Sequence, residues 1–443
     1  MEAKMDAPPR LDVDRLLDDP QTRIIVCCGA GGVGKTTTAA ALGVRAAERG
    51  RKVVVLTIDP ARRLAQSMGI DSLDNTPRRV KDVQGTAGGE LHAMMLDMKR
   101  TFDEIVEGHS DPERAEAILA NPFYQSLSAG FAGTQEYMAM EKLGQLRARD
   151  DWDLIVVDTP PSRSALDFLD APGRLGSFLD GKFIRVLMAP AKVGGRAGMK
   201  FLNVGMSMMT GTLSKLMGAS LLKDVQTFVA AMDTMFGGFR TRADATFQLL
   251  QAPGTAFLVV SAPEPDALRE AAYFVERLAA ERMPLAGLVL NRVHGSDAEQ
   301  LSAERALAAA ENLEEGGIVD QESGKAGLRD ATDPGSASDS DTDPRTARET
   351  GADAVDVDPD AAVEADAHAG ADADVDVITA GLLRLHAERM QVIAREQRTR
   401  DRFTSLHPEV AVAEVAALPG DVHDLAGLRA IGERLAAGVP AGA

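Results

Sequence analysis

Short apolar runs punctuate the chain: Arg23-Ile-Ile-Val-Cys-Cys28, Lys52 to Ile58, Leu91 to Met98, Leu154 to Asp158, Thr255 to Val260, Leu285 to Asn291 and Glu409 to Val415. Most do not alternate apolar with polar, which is the pattern of strands buried on both faces of a parallel sheet. Helical patterns separate them. Thr37 to Arg49 is rich in alanine, and Ile378 to Arg400 and Val422 to Ala437 also repeat at helical spacing. Strands joined through helices predict an α/β domain with a doubly wound, mostly parallel sheet. Residues 99–149 and 174–250 are helical without supplying strands, and together they predict an inserted helical subdomain.

The second of these stretches is rich in methionine. Eight of the 18 methionines fall between Met188 and Met235. Met199, Leu202, Met206, Met209, Leu213 and Leu216 step by three and four along one helix face, and Val225, Phe228, Val229, Met232 and Phe236 form another apolar stripe. Such faces can simply pack on each other. They can also form an adaptable groove for apolar partners, which methionine suits, and the glycines from Gly194 to Gly218 fit a mobile element.

Charge divides the chain further. The net charge is −19, but residues 311–377 hold 20 acids and 4 bases, leaving 47 acids and 44 bases elsewhere. This acidic, low-complexity stretch buries too little apolar area to offset its ordering entropy and is expected to be a disordered insertion. It interrupts one domain, residues 21–310 plus 378–443, behind a loose leader over 1–20. The balance argues against nucleic-acid binding. There is no run of about 18 apolar residues for a membrane span and no signal-peptide core, so a cytoplasmic protein is expected. The only cysteines, Cys27 and Cys28, are strand neighbours pointing to opposite faces, which excludes a disulfide between them.

The chemistry begins after the first strand. Gly29-Ala-Gly-Gly-Val-Gly-Lys-Thr36 fits the phosphate-cradling loop of triphosphatases, G-x-x-x-x-G-K-[ST]. Gly29, Gly31, Gly32, Val33 and Gly34 turn backbone N–H groups toward phosphate, Lys35 reaches the β- and γ-phosphates, Thr36 can bind Mg²⁺, and Thr37 opens the helix whose N-terminus favours anions. Gly29, Gly31 and Gly34 also satisfy G-x-G-x-x-G, with Asp59 where a ribose-binding acid would stand. A dinucleotide loop has no use for Lys-Thr at that point, which favours a triphosphate. Asp158 ends a buried strand where the second acid of such enzymes supports Mg²⁺, directly or through water. Asp59 ends the next strand in sequence, placed to orient or deprotonate water. Either acid could instead cap a helix.

These elements together resemble the ArsA family of ATPases, which includes the arsenite-pump ATPase and the eukaryotic targeting factor for tail-anchored membrane proteins. The resemblance spans nearly all of the chain outside 1–20 and 311–377. Asp59-Pro60-Ala61 looks like the family's first switch and Asp158-Thr159-Pro160-Pro161 its second. Ser261-Ala-Pro-Glu264 looks like its Pro-Glu stretch, and Leu288-Val-Leu-Asn-Arg292 its Val-Asn-Arg strand end. Leu418-Pro-Gly-Asp-Val422 resembles its late loop beside the base. The resemblance implies that Asp59 activates water, that Asn291 contacts adenine and that Pro419 flanks the base. It implies an ATP- and Mg²⁺-dependent dimer whose closure reshapes the helical subdomain, with a hydrophobic polypeptide segment as client and transient membrane association.

The departures matter as well. The family's loop lysine, which crosses the dimer interface to the partner's nucleotide, is Ala30 here, as in an actinobacterial-type paralogue without it. That leaves a homodimer or a heterodimer with a lysine-bearing relative. The second switch continues Ser162-Arg163-Ser164 instead of Thr-Gly-His, and Arg163 is either a replacement cation or a surface residue. Cys27 and Cys28, held in a strand, suit neither arsenite nor a zinc clasp. An arsenite-pump subunit and a nucleotide-dependent scaffold with little turnover are the alternative functions.

Overall fold

The computed structural model describes residues 9–59, 63–83, 88–128, 134–160, 241–323 and 359–437. The Met-rich stretch 188–235 and Arg163 lie outside them. Contacts divide the chain into two units, residues 1–295 with 396–443, and residues 296–395.

The first unit runs α1 (Val13–Asp18), β1 (Ile24–Gly29), α2 (Lys35–Glu48), β2 (Lys52–Thr57), α3 (Arg63–Ser67), β3 (Arg78–Arg79), β4 (Glu90–Met95), α4 (Met98–His109), α5 (Pro112–Leu119), α6 (Pro122–Ser128), α7 (Thr134–Arg149), β5 (Leu154–Asp158), β6 (Thr255–Ser261), α8 (Pro265–Ala280) and β7 (Leu285–Val293). Residues 241–251 are also helical. The second unit holds α9 (Ala303–Ser323) and most of α10 (Pro359–Leu406), whose end returns the chain to β8 (Val412–Ala416) and α11 (Leu425–Ala437).

The strands form one eight-stranded sheet in the order β3-β4-β2-β5-β1-β6-β7-β8. Every pairing is parallel except β3 with β4. Alternate residues of each strand feed opposite cores. Ile24, Val26, Cys28, Ile155 and Val157 join the layer with α4–α7 and α8, while Ile25, Cys27, Leu154 and Val156 join the layer of α1, α2 and α11. Apolar side chains are therefore needed at every position, which is why these strands read as unbroken runs.

The structure departs from the sequence expectation at three places. Residues 9–20 are not loose. Asp12 caps α1 through the Arg15 N–H, Val13 and Leu17 are buried, and Arg45 grips Asp14 through two hydrogen bonds of 2.6 and 2.7 Å. The two-residue β3 was not expected; its arginines place charge on the sheet edge, a common guard against edge pairing. Helix also extends into the acidic stretch, over Pro359 to 377 and to Ser323; the seven alanines of 359–377 favour helix there. Residues 324–358 lie outside the described residues.

The helices after β4 match the expected helical stretch 99–149. Two ion pairs fasten α7 on either side: Lys142 Nζ to Glu104 at 2.9 Å, and Arg242 Nε to Glu141 at 2.9 Å, with Lys142 and Glu141 both buried. Among the described residues no helix is long and apolar enough to cross a membrane.

Candidate active site

The site forms at the carboxyl ends of β2, β5 and β1, three neighbours in the sheet, where open α/β sheets bind ligands. The loop from Gly29 to Gly34 joins β1 to α2. Gly29 has φ of 147°, Gly32 of 78° and Gly34 of 96°, conformations that glycine adopts at little cost. Two of them are also crowded. A Cβ on Gly29 would stand 2.0 Å from the Val260 carbonyl oxygen, and one on Gly34 would stand 2.3 Å from Asn291 Nδ2.

Lys35 is buried, and its Nζ donates to the Ala30 carbonyl at 2.7 Å. Burial lowers its pKa, against the pull of Asp158, Cys28 and Asp59 nearby. The Ala30 side chain is itself buried, so the loop presents no cation at that position. Thr36 and Thr37 open α2 and are half-buried.

Asp158 is fully buried at the end of β5. Its Oδ2 accepts from the Thr57 hydroxyl at 2.8 Å, while Oδ1 is buried without a hydrogen-bond partner. Desolvation pushes its pKa up to about 6, opposed by the Thr36 and Thr57 hydroxyls and by Lys35, and aided by Asp59. An orphaned buried oxygen normally requires an explanation. A hard divalent cation with oxygen ligands supplies one, because Mg²⁺ typically takes one or two protein ligands together with substrate phosphates. Thr36 and Asp158 thus fit Mg²⁺. Among the described residues no three His, Cys, Asp or Glu gather to hold a metal by themselves.

Asp59 follows β2. The Ile58 N–H donates to the Asp158 carbonyl at 3.0 Å, and the Asp59 N–H donates to the Thr57 hydroxyl at 3.2 Å. Thr57 therefore braces both acids. Its signal in the sequence is a lone hydroxyl at the end of an apolar strand. Gln135 of α7 is a second residue that sequence reasoning missed, and its Nε2 donates to the Ile58 carbonyl at 2.8 Å.

Asn291 reaches the loop from β7, with Nδ2 donating to the Val33 carbonyl at 2.8 Å. In this structure it braces the loop from behind. Arg292 beside it has φ of 61°, unusual for a side-chain-bearing residue and common near functional sites. Asn291→Ala is expected to remove this brace and lower ATP affinity about tenfold, equivalent to about 1.4 kcal/mol. Calorimetric titration with a non-hydrolysable analogue measures it. Pro419 lies exposed in the loop after β8, and no described contact brings it to the phosphate loop.

Cys27 and Cys28 are buried on opposite faces of β1. Burial raises both thiol pKa values, that of Cys28 to about 12.

The profile of the anion-transporting ATPases, ArsA_ATPase, matches residues 22–315. The chain belongs to this ATPase family. The protein is thus a nucleotide-binding ATPase, and the match covers β1, the phosphate loop and both acids. Among curated proteins it is 27% identical over 300 residues to ATPase GET3 of Podospora anserina, covering 66% of this chain and 80% of that one. It is 26% identical over 308 residues to ATPase get3 of Neurospora crassa, with 66% and 80% covered. It is 33% identical over 168 residues to Protein Rv2184c of Mycobacterium tuberculosis, with 36% and 40% covered.

Proposed function

We propose that this ATPase uses Mg²⁺, acts as a dimer in the cytoplasm, and couples ATP binding and hydrolysis to movement of its helical subdomain, which handles hydrophobic segments of membrane proteins. The observation that carries this reading is the join between the two acids and the helices. The backbone just before Asp59 is tied on one side to the end of β5 and on the other to α7, through the Ile58 N–H and the Ile58 carbonyl respectively. A shift of Asp59 on nucleotide binding moves the acceptor that Gln135 holds. Lys142 and Glu141 transmit that shift to α4 and to 241–251, since breaking either pair would leave a buried charge.

In this scheme the loop amides and Lys35 bind the phosphates. Thr36 and Asp158 hold Mg²⁺, which when bound neutralises charge developing on the phosphates. Asp59 orients the attacking water and takes its proton. The phosphate, metal and water roles are assigned on the positions of these residues and on the family resemblance; the places of Asn291 and Pro419 near the base rest on the resemblance alone.

Ala30 favours a partner that provides the missing cation, so a heterodimer with a lysine-bearing relative is the preferred assembly. Mixing the chain with such a relative is expected to raise phosphate release above the sum of the two alone; an isolated homodimer with full activity would exclude it. Membership of the anion-transporting ATPases favours anion transport as a second reading. The buried thiols give arsenite no soft ligand, and no stimulation of hydrolysis by arsenite is expected. To test the client, the Asp59→Asn protein is held in ATP and its bound polypeptides are identified by mass spectrometry. Hydrophobic membrane-protein segments are expected, released by nucleotide exchange. Recovery of the same polypeptides with and without ATP would overturn the coupling.

A further inference from the structure

Helix α10 carries a feature that the nucleotide site does not use. Within the second unit one face of α10 packs on α9. Ala380 and Ala387 are buried there, as are Ala306 and Ala310 of α9. Arg384 bonds Glu314 at 2.6 Å, and His386 Nε2 meets the Leu301 carbonyl at 2.8 Å. Another face of α10 is apolar and bare. Val375, Ile378, Leu382 and Leu385 are 58%, 62%, 61% and 63% exposed. Single exposed leucines are ordinary, but these four step by three, four and three. That is the spacing of a coiled-coil seam, about 15 Å long at 1.5 Å per residue.

Charge along the same helix decides what fits the seam. Residues 359–377 contain six acids and no lysine or arginine, whereas 378–402 contain six arginines and three acids. The helix thus changes from −6 to +3 near the middle of the stripe. A parallel copy would set acids against acids. An antiparallel copy would set the acidic half of each helix against the arginine half of the other.

We propose that this stripe is a self-association surface, occupied by the same stripe of a second copy running antiparallel. The two-fold axis passes between Ile378 and Leu382, so each Val375 faces a Leu385 and each Ile378 a Leu382 of the other copy. The contact is isologous and closes on itself. A hydrophobic peptide would match the leucines but not the charge reversal. The contact involves no residue of the nucleotide site and needs no nucleotide.

Sedimentation velocity of the full chain without nucleotide tests this. We expect a concentration-dependent dimer that weakens as salt rises. The double variant Leu382→Asp/Leu385→Asp, altered only at exposed positions, is expected to dissociate about tenfold or more readily, with the basal ATPase activity per chain unchanged. The double variant Ile378→Cys/Leu382→Cys is expected to form disulfide-linked dimers on mild oxidation, far more than either single variant. A chain that stays monomeric without nucleotide, or whose mass the aspartates leave unchanged, would overturn the proposal. So would a single Ile378→Cys that cross-links as well as the pair, since that reports parallel helices. Loss of ATPase activity with self-association intact would instead count against the nucleotide-site reading.

Discussion

Replacing Asp59 with asparagine is expected to slow ATP hydrolysis about 10²- to 10⁴-fold, the usual worth of a positioned general base. Affinity for ATP should change little. The residue lies two positions past the end of β2, outside the loop from Gly29 to Gly34, and asparagine keeps its size and its backbone hydrogen bond to Thr57. Single-turnover phosphate release and a binding titration separate the two effects. Unchanged turnover would remove Asp59 from the mechanism, whereas lost binding would assign it to the cradle.

Asp158→Asn is expected to move activity and stability in opposite directions. Loss of the buried carboxylate should cut hydrolysis about 10²-fold or more and raise the Mg²⁺ concentration needed, because charge stabilisation by a bound metal is worth several kcal/mol. The fold should gain. The carboxyl pKa rises from 3.8 to about 6 on burial, which corresponds to about 3 kcal/mol at 1.36 kcal/mol per unit. A raised folded-state value means that the protonated form is favoured in the native state. The stability tied to this group is therefore complete below about pH 4 and lost as pH rises through about 6. At pH 7.5 the native protein carries the whole penalty, and asparagine removes it. Thermal melts should show the variant more stable above pH 6 and nearly equal to the parent near pH 4. A variant less stable at pH 7.5 would mean that a partner now unseen stabilises the carboxylate.

Local chemistry made much of this site legible. A loop of glycines before Lys35-Thr36 has few uses, and an acid that ends an apolar strand must stand at the sheet's carboxyl edge. Gly29, Lys35, Asp59 and Asp158 therefore fall where the run of residues implies. The residues that hold them in place were not legible. Thr57 meets Asp158 across 101 positions, Gln135 meets Ile58 across 77, and Asn291 meets Val33 across 258. Nothing in a single sequence pairs such distant groups. The order of residues 9–20 was not legible for a related reason. Val13 and Leu17 look like isolated apolar residues until α2 supplies the surface that buries them.

Trp152 is the only tryptophan in the chain. It sits just before β5, with its ring 4.8 Å from that of His92 and 5.1 Å from Lys52 Nζ. The same strand ends at Asp158, about 20 Å further on at the usual rise per residue. The protein thus has a single tryptophan at the foot of the strand that ends in Asp158. Its emission reports whether that strand is still in the sheet, and an unfolding curve can be recorded through it without a label.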